Sequence, residues 1–365
     1  MYTIIKHNIK GSYIMDPKGI NLGRSLLIPS VQELAKESLT EVPHRYIRAN
    51  QDASVVSSLP QVPIINMENL SSTDSKDYEL EKLHLACKDW GFFQLINHGV
   101  SCSLLEKVKQ ETQEFFNMPM EEKKKYWQQA GDVEGFGQAF VVSDEQKLDW
   151  ADIFFLITLP TDLRKPHLLP NLPLPFRDTI EEYSMEVKKA AFKTLVFIAK
   201  ALNMEVEEMK VLFKDGMQSM RMNYYPPCPQ PNQVIGLTPH SDAVGITFLL
   251  QLNQVEGLQI KKDGQWIPVK PLDDAFIVNI GDVLQMVTNG AYKSIEHRAI
   301  VNSEKKRLSI ATFLSPNMDG DFGPAPSLIT PETPARFTSV TLVDFLKNLF
   351  SRELKGKTII DDYRI

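Results

Sequence analysis

Cysteine is scarce in this sequence. Only three cysteines occur among 365 residues, Cys87, Cys102 and Cys228, and they are widely spaced. A small, odd number offers no disulfide framework and predicts a protein of a reducing compartment. The opening residues also lack the continuous apolar segment of a secretory signal and the Arg- and Ser-rich character of an organellar transit peptide. We therefore expect a cytoplasmic protein.

Long apolar runs and blocks of one charge are lacking as well. No stretch approaches the ~18 apolar residues of a membrane-spanning helix, so we expect no membrane partner. The net charge of -6 is spread without long runs of one sign, which argues against a nucleic-acid partner. Nothing in the chain resembles a coiled coil, and we expect a monomer.

The composition is typical of a soluble globular protein with a sizeable core, at 43% hydrophobic and 24% charged residues. The length predicts about two domains, or a single large β-barrel with helices. The longest segment with helical periodicity runs from about residue 175 to residue 204. An apolar stripe predicts that one face of this helix packs on the core. The stripe consists of Ile180, Tyr183, Val187, Ala191, Leu195, Ile198 and Leu202.

From about Met217 onward, strand-like runs alternate with turn signals. The Asp263-Gly264 dipeptide predicts a β-hairpin, and "AFIVNIGDVLQMVTNG", "YKSIEHRAIVN" and "RLSIATFLSP" follow as further strand-like runs. Short strands at such spacing predict a sandwich or barrel. A last helix is predicted at "TLVDFLKNLFSREL". The residues thus indicate a helical N-terminal half around a C-terminal antiparallel β core.

A histidine and an aspartate stand one residue apart in "GLTPHSDAVGITFLLQL". Residues two apart share a face of an extended chain, so if this stretch is a strand, His240 and Asp242 point the same way. His297 lies in another strand pattern of the same β core. Two histidines and one carboxylate form the ligand set of non-haem iron(II) oxygenases. The alternative is an ordinary hydrogen bond at a strand end. His84 and His98 are predicted to be packing or hydrogen-bonding groups instead.

A second pair of polar residues, Arg307 and Ser309 in "KKRLSIATF", also shares a strand face. A guanidinium fork beside a hydroxyl suits bidentate binding of a carboxylate. The alternative is an arginine that caps a strand end and a serine in the ladder. Upstream, Asn223 and Tyr225 in "RMNYYPPCPQP" stand two apart on another predicted strand, where both can hydrogen-bond an oxo-acid.

These stretches resemble the plant soluble 2-oxoglutarate- and iron(II)-dependent dioxygenases. The resemblance runs from about Ile28 to the C terminus. It includes "VPIINM", "WGFFQLINHGV", "EGFGQAF", "LDWADIFFL", "NYYPPCPQP", "PHSD", "EHRAIVN" and "RLSIATF", all in the family's order. The sequence is most similar to the senescence-related-gene-like branch, which includes flavonoid and alkaloid O-demethylases and hydroxylases.

The resemblance implies an α+β fold with a double-stranded β-helix (jelly-roll) core flanked by N-terminal and C-terminal helices. The chain would then divide into four segments. We expect an irregular N-terminal extension at residues 1–27, a mainly helical dioxygenase region at 28–210, the jelly-roll core at 211–330 and a C-terminal helical segment at 331–365.

The resemblance also implies the roles of the site residues. Iron(II) would be bound by the catalytic residues His240, Asp242 and His297. The distal carboxylate of 2-oxoglutarate would be bound by Arg307 and Ser309, with Asn223 and Tyr225 assisting. Dioxygen is the second co-substrate, and ascorbate is the expected reductant. The substrate pocket would be lined by Ile153, Phe155, Arg221, Phe313 and Ser315, with packing as the alternative for each. This mostly apolar and aromatic set suits a flat, multi-ring small molecule.

The implied activity is that of a dioxygenase. It would couple the oxidative decarboxylation of 2-oxoglutarate to hydroxylation or O-demethylation of a plant specialised metabolite, of the flavonoid or benzylisoquinoline alkaloid class. Two alternatives stay open: an oxidase on the same scaffold that does not use 2-oxoglutarate, and a non-catalytic jelly-roll that binds a small molecule. The presence of all five metal- and keto-acid-binding residues argues against the second.

Overall fold

The computed structural model describes residues 25–37, 39–48, 61–129, 132–138, 141–318, 320–352, 356–357 and 359–365. The N-terminal extension expected at residues 1–27 lies outside these residues, apart from its last three positions.

Strands and helices alternate in the first half of the described chain, and strands dominate the second. The strands are β1 (Ile64–Asn66), β2 (Phe92–Ile96), β3 (Gly135–Gly137), β4 (Asp152–Leu159), β5 (Gln218–Tyr225), β6 (Leu237–His240), β7 (Ile246–Gln251), β8 (Leu258–Lys262), β9 (Gln265–Pro268), β10 (Phe276–Ile280), β11 (His297–Ala299), β12 (Arg307–Leu314), β13 (Asp321–Phe322) and β14 (Val340–Thr341). The α-helices are α1 (Val31–Leu34), α2 (Met67–Ser71), α3 (Lys76–Leu85), α4 (Cys102–Asn117), α5 (Met120–Lys123), α6 (Phe176–Ala201), α7 (Val206–Phe213), α8 (Asp282–Val287) and α9 (Leu342–Phe350).

Two facing sheets form the predicted jelly-roll core. The larger sheet has the strand order β1-β2-β10-β7-β12-β5-β4-β3, and the smaller has the order β6-β11-β8-β9. All pairs in both sheets are antiparallel except β1 with β2, which is parallel. With the helices on the outer side of the larger sheet, the architecture is the α+β fold that the resemblance implied.

Alternation along the central strands separates a helix-facing side from an inner side. On β12, Leu308 and Ile310 belong to the main hydrophobic core, which also contains the buried residues of α6. Their neighbours Arg307 and Ser309 therefore point to the opposite side of the sheet, toward the smaller sheet. The strand period thus supplies an apolar outer face for the helices and leaves the inner face free for polar groups.

The long helix forms where the sequence predicts it, as α6. Six of the seven stripe residues are buried, and the seventh, Leu202, is only partly buried because it lies at the C-cap. None of the described helices is long and apolar enough to cross a membrane.

The hairpin prediction is also confirmed. β8 and β9 pair around Asp263 and Gly264, whose φ angles are 50° and 79°. Two consecutive positive φ angles are characteristic of the tight turn that an Asp-Gly dipeptide favours.

The strand predicted for "AFIVNIGDVLQMVTNG" is wrong beyond Ile280. The strand β10 ends there, Gly281 adopts an extended conformation at the N-cap, and α8 begins at Asp282. A Cβ at Gly281 would lie 2.0 Å from the Val244 carbonyl oxygen, so this crossing requires glycine. The helix residues are all buried, and a short apolar run that is buried on every side lacks the periodicity that distinguishes a helix from a strand.

Candidate metal centre and active-site cleft

Three side chains with metal-ligand atoms meet at one end of the smaller sheet. His240 is the last residue of β6, Asp242 follows two positions later, and His297 is the first residue of β11. The pairing of β6 with β11 places His240 directly opposite His297. One ligand atom from each side chain lies within 4.8 Å of the other two, and all three residues are buried. It is the one such cluster found within the described residues.

Backbone carbonyls orient both imidazoles. Nδ1 of His240 lies 2.8 Å from the Thr238 carbonyl oxygen, and Nδ1 of His297 lies 3.2 Å from that of Ile295. Because a carbonyl only accepts, we assign a proton to Nδ1 of each ring, and in this tautomer Nε2 is an acceptor. The two Nε2 atoms lie 3.5 and 3.7 Å from Oδ1 of Asp242. Three acceptor atoms that converge in this way fit a divalent cation between them.

The second carboxylate oxygen of Asp242 is held by two donors. Oδ2 accepts a hydrogen bond of 2.7 Å from the Thr247 hydroxyl and one of 2.8 Å from the Asn279 amide. These bonds restrain the carboxylate and leave Oδ1 directed toward the histidines. A metal bound there would thus meet a ligand whose orientation is already set.

The charge state of the cluster also suits a metal. Burial lowers the pKa of His297 to about 4, so this ring is neutral at neutral pH. Burial by itself raises the pKa of Asp242, but His297, His240 and the Asn279 hydrogen bond outweigh it and hold that pKa below its ordinary value. The carboxyl group is therefore ionised. A carboxylate with a neutral imidazole is the protonation state that metal binding requires.

Asp149 fixes β6 just before His240. Its carboxylate accepts hydrogen bonds from both the backbone N–H and the hydroxyl of Thr238, at 3.1 and 2.6 Å. Arg48 donates to the same carboxylate at 2.8 Å and to the Thr238 hydroxyl at 2.8 Å. The carbonyl that orients His240 is therefore anchored to a segment from the N-terminal half.

His84 and His98 lie away from the cluster and make ordinary hydrogen bonds, as predicted. Nδ1 of His84 lies 2.9 Å from the Tyr292 hydroxyl, and Nε2 of His98 lies 2.9 Å from the Asp274 carbonyl oxygen.

A second polar group forms on the inner face of β5 and β12. Strand pairing sets Arg307 opposite Tyr225 and Ser309 opposite Asn223, and the Asn223 amide donates to the Ser309 hydroxyl at 3.3 Å. The guanidinium lies over the Tyr225 ring at 5.2 Å and donates to Gln251 Oε1 at 3.1 Å. The structure thus brings together all four residues that the sequence predicts for carboxylate binding.

The guanidinium of Arg307 is buried without a counter-charge. Arg307 is 3% exposed, and its Nε has no hydrogen-bond partner. Within the described part of the chain, no carboxylate forms an ion pair with this guanidinium. Burial lowers the pKa of Arg307, yet an arginine stays charged in a protein. A buried cation is costly unless a counter-ion pairs with it. The fork therefore fits an anionic ligand with a carboxylate group.

A cleft of about 810 Å³, its open mouth included, lies beside the metal-ligand cluster. Its apolar wall comes from both β4 and the C-terminal helix α9. The lining residues are Ile153, Phe155, Ile157, Met217, Ser219, Arg221, His240, Ser241, Asp242, Ala243, Val244, Phe313, Leu346, Leu349 and Phe350. Among these described lining residues, Arg221 is the one permanent cation, and its Nε has no hydrogen-bond partner.

Four of the five residues predicted for the substrate pocket lie in this wall: Ile153, Phe155, Arg221 and Phe313. The fifth, Ser315, does not line the cleft. It follows the last residue of β12, where its backbone N–H donates to the Met217 carbonyl at 2.9 Å, and the residue is 1% exposed. Met217, whose carbonyl accepts this hydrogen bond, lines the cleft instead.

Several residues of the site were not predicted from the sequence. The apolar residues of α9 at positions 346, 349 and 350 give only a general amphipathic signal, which does not say what the helix covers. Asn279 gives a sharper signal, because it is a polar residue inside the apolar strand "FIVNI". A buried amide in such a run needs a hydrogen-bond partner, and here the partner is Asp242.

Comparison with known proteins identifies relatives of this chain. The 2OG-Fe(II) oxygenase superfamily matches residues 216–316, and the N-terminal region of non-haem dioxygenases in morphine synthesis matches residues 62–172. Oxoglutarate-dependent flavonoid 7-O-demethylase 1 of Ocimum basilicum is 57% identical over 94% of this chain and 93% of its own. Thebaine 6-O-demethylase of Papaver somniferum is 54% identical over 95% of this chain and 99% of its own.

The crystal structure of JOX2 in complex with 2OG, Fe and JA superposes with a TM-score of 0.84 at 35% identity. The match covers 93% of this chain and 98% of JOX2.

Proposed function

The chain belongs to the 2-oxoglutarate- and iron(II)-dependent oxygenases, and from this premise we propose that it hydroxylates or O-demethylates a multi-ring plant metabolite. The observation that carries the proposal is the buried cluster of His240, Asp242 and His297 beside a largely apolar cleft. The cluster supplies a place for the oxidant, and the cleft supplies a place for the C–H bond to be oxidised.

We assign the iron(II) ligands to Nε2 of His240, Oδ1 of Asp242 and Nε2 of His297. The Thr238 and Ile295 carbonyls keep both Nε2 lone pairs directed inward, and Thr247 with Asn279 restrains the carboxylate. When bound, iron(II) supplies the activation of dioxygen that no side chain can perform. The protein's own contribution is to hold three ligands in place and to exclude water.

We assign the binding of the distal 2-oxoglutarate carboxylate to Arg307 and Ser309, with Asn223 and Tyr225 beside them. Arg307 is a buried cation without a carboxylate partner among the described residues, and a dicarboxylate co-substrate provides one. Burial raises the pKa of Tyr225, so its phenol is neutral and able to donate. The alternative of an oxidase that does not use the keto-acid is compatible with the same Arg307 and Ser309 pair, so 2-oxoglutarate turnover is the measurement that separates the two activities.

The cleft favours a flat aromatic substrate. Aromatic and aliphatic side chains suit stacked rings, and Arg221 can bind a phenolic or other acidic oxygen. Relatives named for a flavonoid and for the alkaloid thebaine support the flavonoid or benzylisoquinoline class. Hydroxylation of an O-methyl carbon yields a hemiacetal that collapses to formaldehyde and a free hydroxyl. Hydroxylation and O-demethylation therefore differ only in which carbon faces the metal.

Product analysis tests this proposal. Purified protein with iron(II), 2-oxoglutarate and ascorbate, the expected reductant, is incubated with methoxylated flavonoids and benzylisoquinoline alkaloids. We expect succinate and formaldehyde in equal amounts with an O-methylated member of one class. Succinate with a product heavier by one oxygen would identify a hydroxylase instead. His240→Ala serves as the control, and succinate no higher than in that control with every compound would contradict the proposal.

Thr247→Val tests how far the hydrogen bonds to Asp242 support metal binding. Valine keeps the shape of threonine and removes only the hydroxyl that donates to Asp242. Because partners of metal ligands are worth ~10- to 100-fold in affinity, we expect iron(II) affinity to fall about tenfold, measured anaerobically by competition with a chelator. Thr312→Val is the matched control, since Thr312 is a buried threonine of β12 on the same helix-facing side of the sheet as Leu308 and Ile310, away from the metal cluster. Equal affinities in the two variants would refute the role of Thr247.

The other expectations drawn from the sequence remain predictions. They are that the protein is a monomer, that it is cytoplasmic, that ascorbate is its reductant, and that the chain divides into four segments with boundaries at residues 27, 210 and 330.

A further inference from the structure

The C-terminal tail joins the strand that carries the first metal-ligand histidine. Gly356 forms a parallel bridge with His240, in which its N–H donates to the Pro239 carbonyl at 2.8 Å. The Ser241 N–H donates in return to the Gly356 carbonyl at 3.3 Å. Gly356 has a φ of 57°, in the left-handed region that favours glycine. The tail therefore forms a single bridge to the edge strand of the smaller sheet, beside the metal cluster.

The next residue, Lys357, reaches into the interior from this bridge. Its ammonium group donates to Gln285 Oε1 and to the Ser294 carbonyl, and it lies 3.8 Å from Oδ1 of Asp282. Asp282 is 0% exposed, and among the described residues Lys357 is the one cation that forms an ion pair with it. Lys357 is thus the cation that compensates a fully buried carboxylate.

Asp282 in turn contacts the loop between the metal ligands. Its Oδ2 accepts a hydrogen bond of 2.9 Å from the hydroxyl of Ser241, the residue between His240 and Asp242. Its backbone N–H donates to the Asp242 carbonyl at 2.7 Å. A continuous series of polar contacts therefore runs from Lys357 through Asp282 to the loop that presents two of the three ligands.

The same tail follows the helix that covers the cleft. Leu346, Leu349 and Phe350 of α9 line the cleft, and the chain reaches the bridge at Gly356 shortly afterwards. The attachment of the tail thus lies close in the chain to one wall of the cleft.

We propose that Lys357 is a positioning residue, which anchors the C-terminal tail and, through Asp282 and Ser241, holds the His240–Asp242 loop in its metal-binding conformation. This inference rests on the proposed function, because it assigns a role toward the same iron(II) site. It adds a residue that touches neither metal nor substrate. The competing explanation is that Lys357 only fills space and neutralises a charge, with an effect on stability alone.

Substitution at both ends of the contact separates these explanations. Lys357→Met keeps the length of the side chain and leaves Asp282 as a buried carboxylate without its cation. Lys357→Met combined with Asp282→Asn removes both charges, while the asparagine carbonyl can still accept from Ser241. Lys347→Met is the matched control, because Lys347 is an exposed lysine on α9 that does not line the cleft.

The full chain is first prepared free of metal, and hydrogen exchange is followed in that state. Iron(II) affinity is determined anaerobically by chelator competition, and hydrogen exchange is followed at the Ser241 amide. We expect Lys357→Met to lower iron(II) affinity about tenfold and to accelerate that exchange by a similar factor. The double variant is expected to recover to within about threefold of the wild-type affinity. Lys347→Met should match the wild type in both measurements.

Ser241→Ala keeps the test decisive if Lys357→Met fails to fold. It removes only the hydroxyl that joins Asp282 to the loop, and we expect a fall in iron(II) affinity of several-fold. Wild-type affinity in either Lys357→Met or Ser241→Ala would overturn the positioning role, and so would a double variant weaker than Lys357→Met. Absence of iron(II) binding by the wild-type chain would instead overturn the proposed function, and with it the positioning role of Lys357.

Discussion

His297→Ala is expected to abolish metal-dependent turnover. Removal of one ligand leaves His240 and Asp242 as the protein ligands, and a direct ligand is worth at least the ~100-fold in affinity that supporting contacts can reach. A metal centre supplies several kcal/mol of catalysis, so we expect succinate formation to fall by ~10³ or more. The measurements are iron bound per chain and 2-oxoglutarate turnover at fixed iron(II).

The same substitution has a modest structural effect. His297 packs edge-on against Phe92, with ring centroids 5.3 Å apart, and this contact is worth about 1 kcal/mol. His44→Ala removes an exposed imidazole far from the cluster in sequence and controls for nonspecific effects of histidine loss. If His297→Ala bound iron(II) and turned over the keto-acid as the wild type does, the assignment of the metal ligands would be wrong.

Arg307→Met is expected to weaken the binding of 2-oxoglutarate. A bidentate pair with a carboxylate supplies two charge-assisted hydrogen bonds, each worth about 1.5–3 kcal/mol, so their loss corresponds to a rise in the KM for 2-oxoglutarate of ~100-fold or more. Arg307→Lys retains the charge without the fork and should fall between methionine and the wild type. Succinate formation as a function of 2-oxoglutarate concentration measures both variants.

Stability without co-substrate distinguishes this role from a structural one. Arg307 is a buried cation with no ion-paired carboxylate among the described residues, so methionine removes a desolvated charge and should leave the Tm of the ligand-free protein unchanged or higher. The rise in Tm that 2-oxoglutarate causes in the wild type should be lost. Lys306→Met, one position before the first residue of β12, should behave as the wild type. A normal KM in Arg307→Met would place the carboxylate site elsewhere.

Local periodicity made much of the fold predictable. A strand repeats every two residues, so the shared face of Arg307 and Ser309 on β12 follows from spacing alone, whereas Asp242 lies two positions beyond the end of β6. The helical stripe before Leu202 and the Asp263-Gly264 turn depend on the same kind of short-range signal. Prediction failed where that signal was ambiguous, as in α8, whose residues are all buried and show no amphipathic pattern.

The register between distant segments was not predictable in this way. His297 becomes part of the cluster because β11 pairs with β6 in a register that sets it opposite His240. The carbonyl of Thr238 orients His240 because Asp149 and Arg48, from the N-terminal half, hold that residue. Contacts such as these join residues far apart in the chain, and no sequence period encodes them.

The sequence by itself determined the chemical inventory of this protein: the residues proposed as metal ligands, the residues proposed to bind a carboxylate, and the alternation that turns Arg307 and Ser309 inward. Only the tertiary structure decided which side chains complete the site. It placed Asn279 against Asp242, α9 over the cleft and Lys357 beside the buried Asp282. The physical reason is that residue type and strand period are local properties, whereas burial, desolvation and register arise only when distant segments pack together.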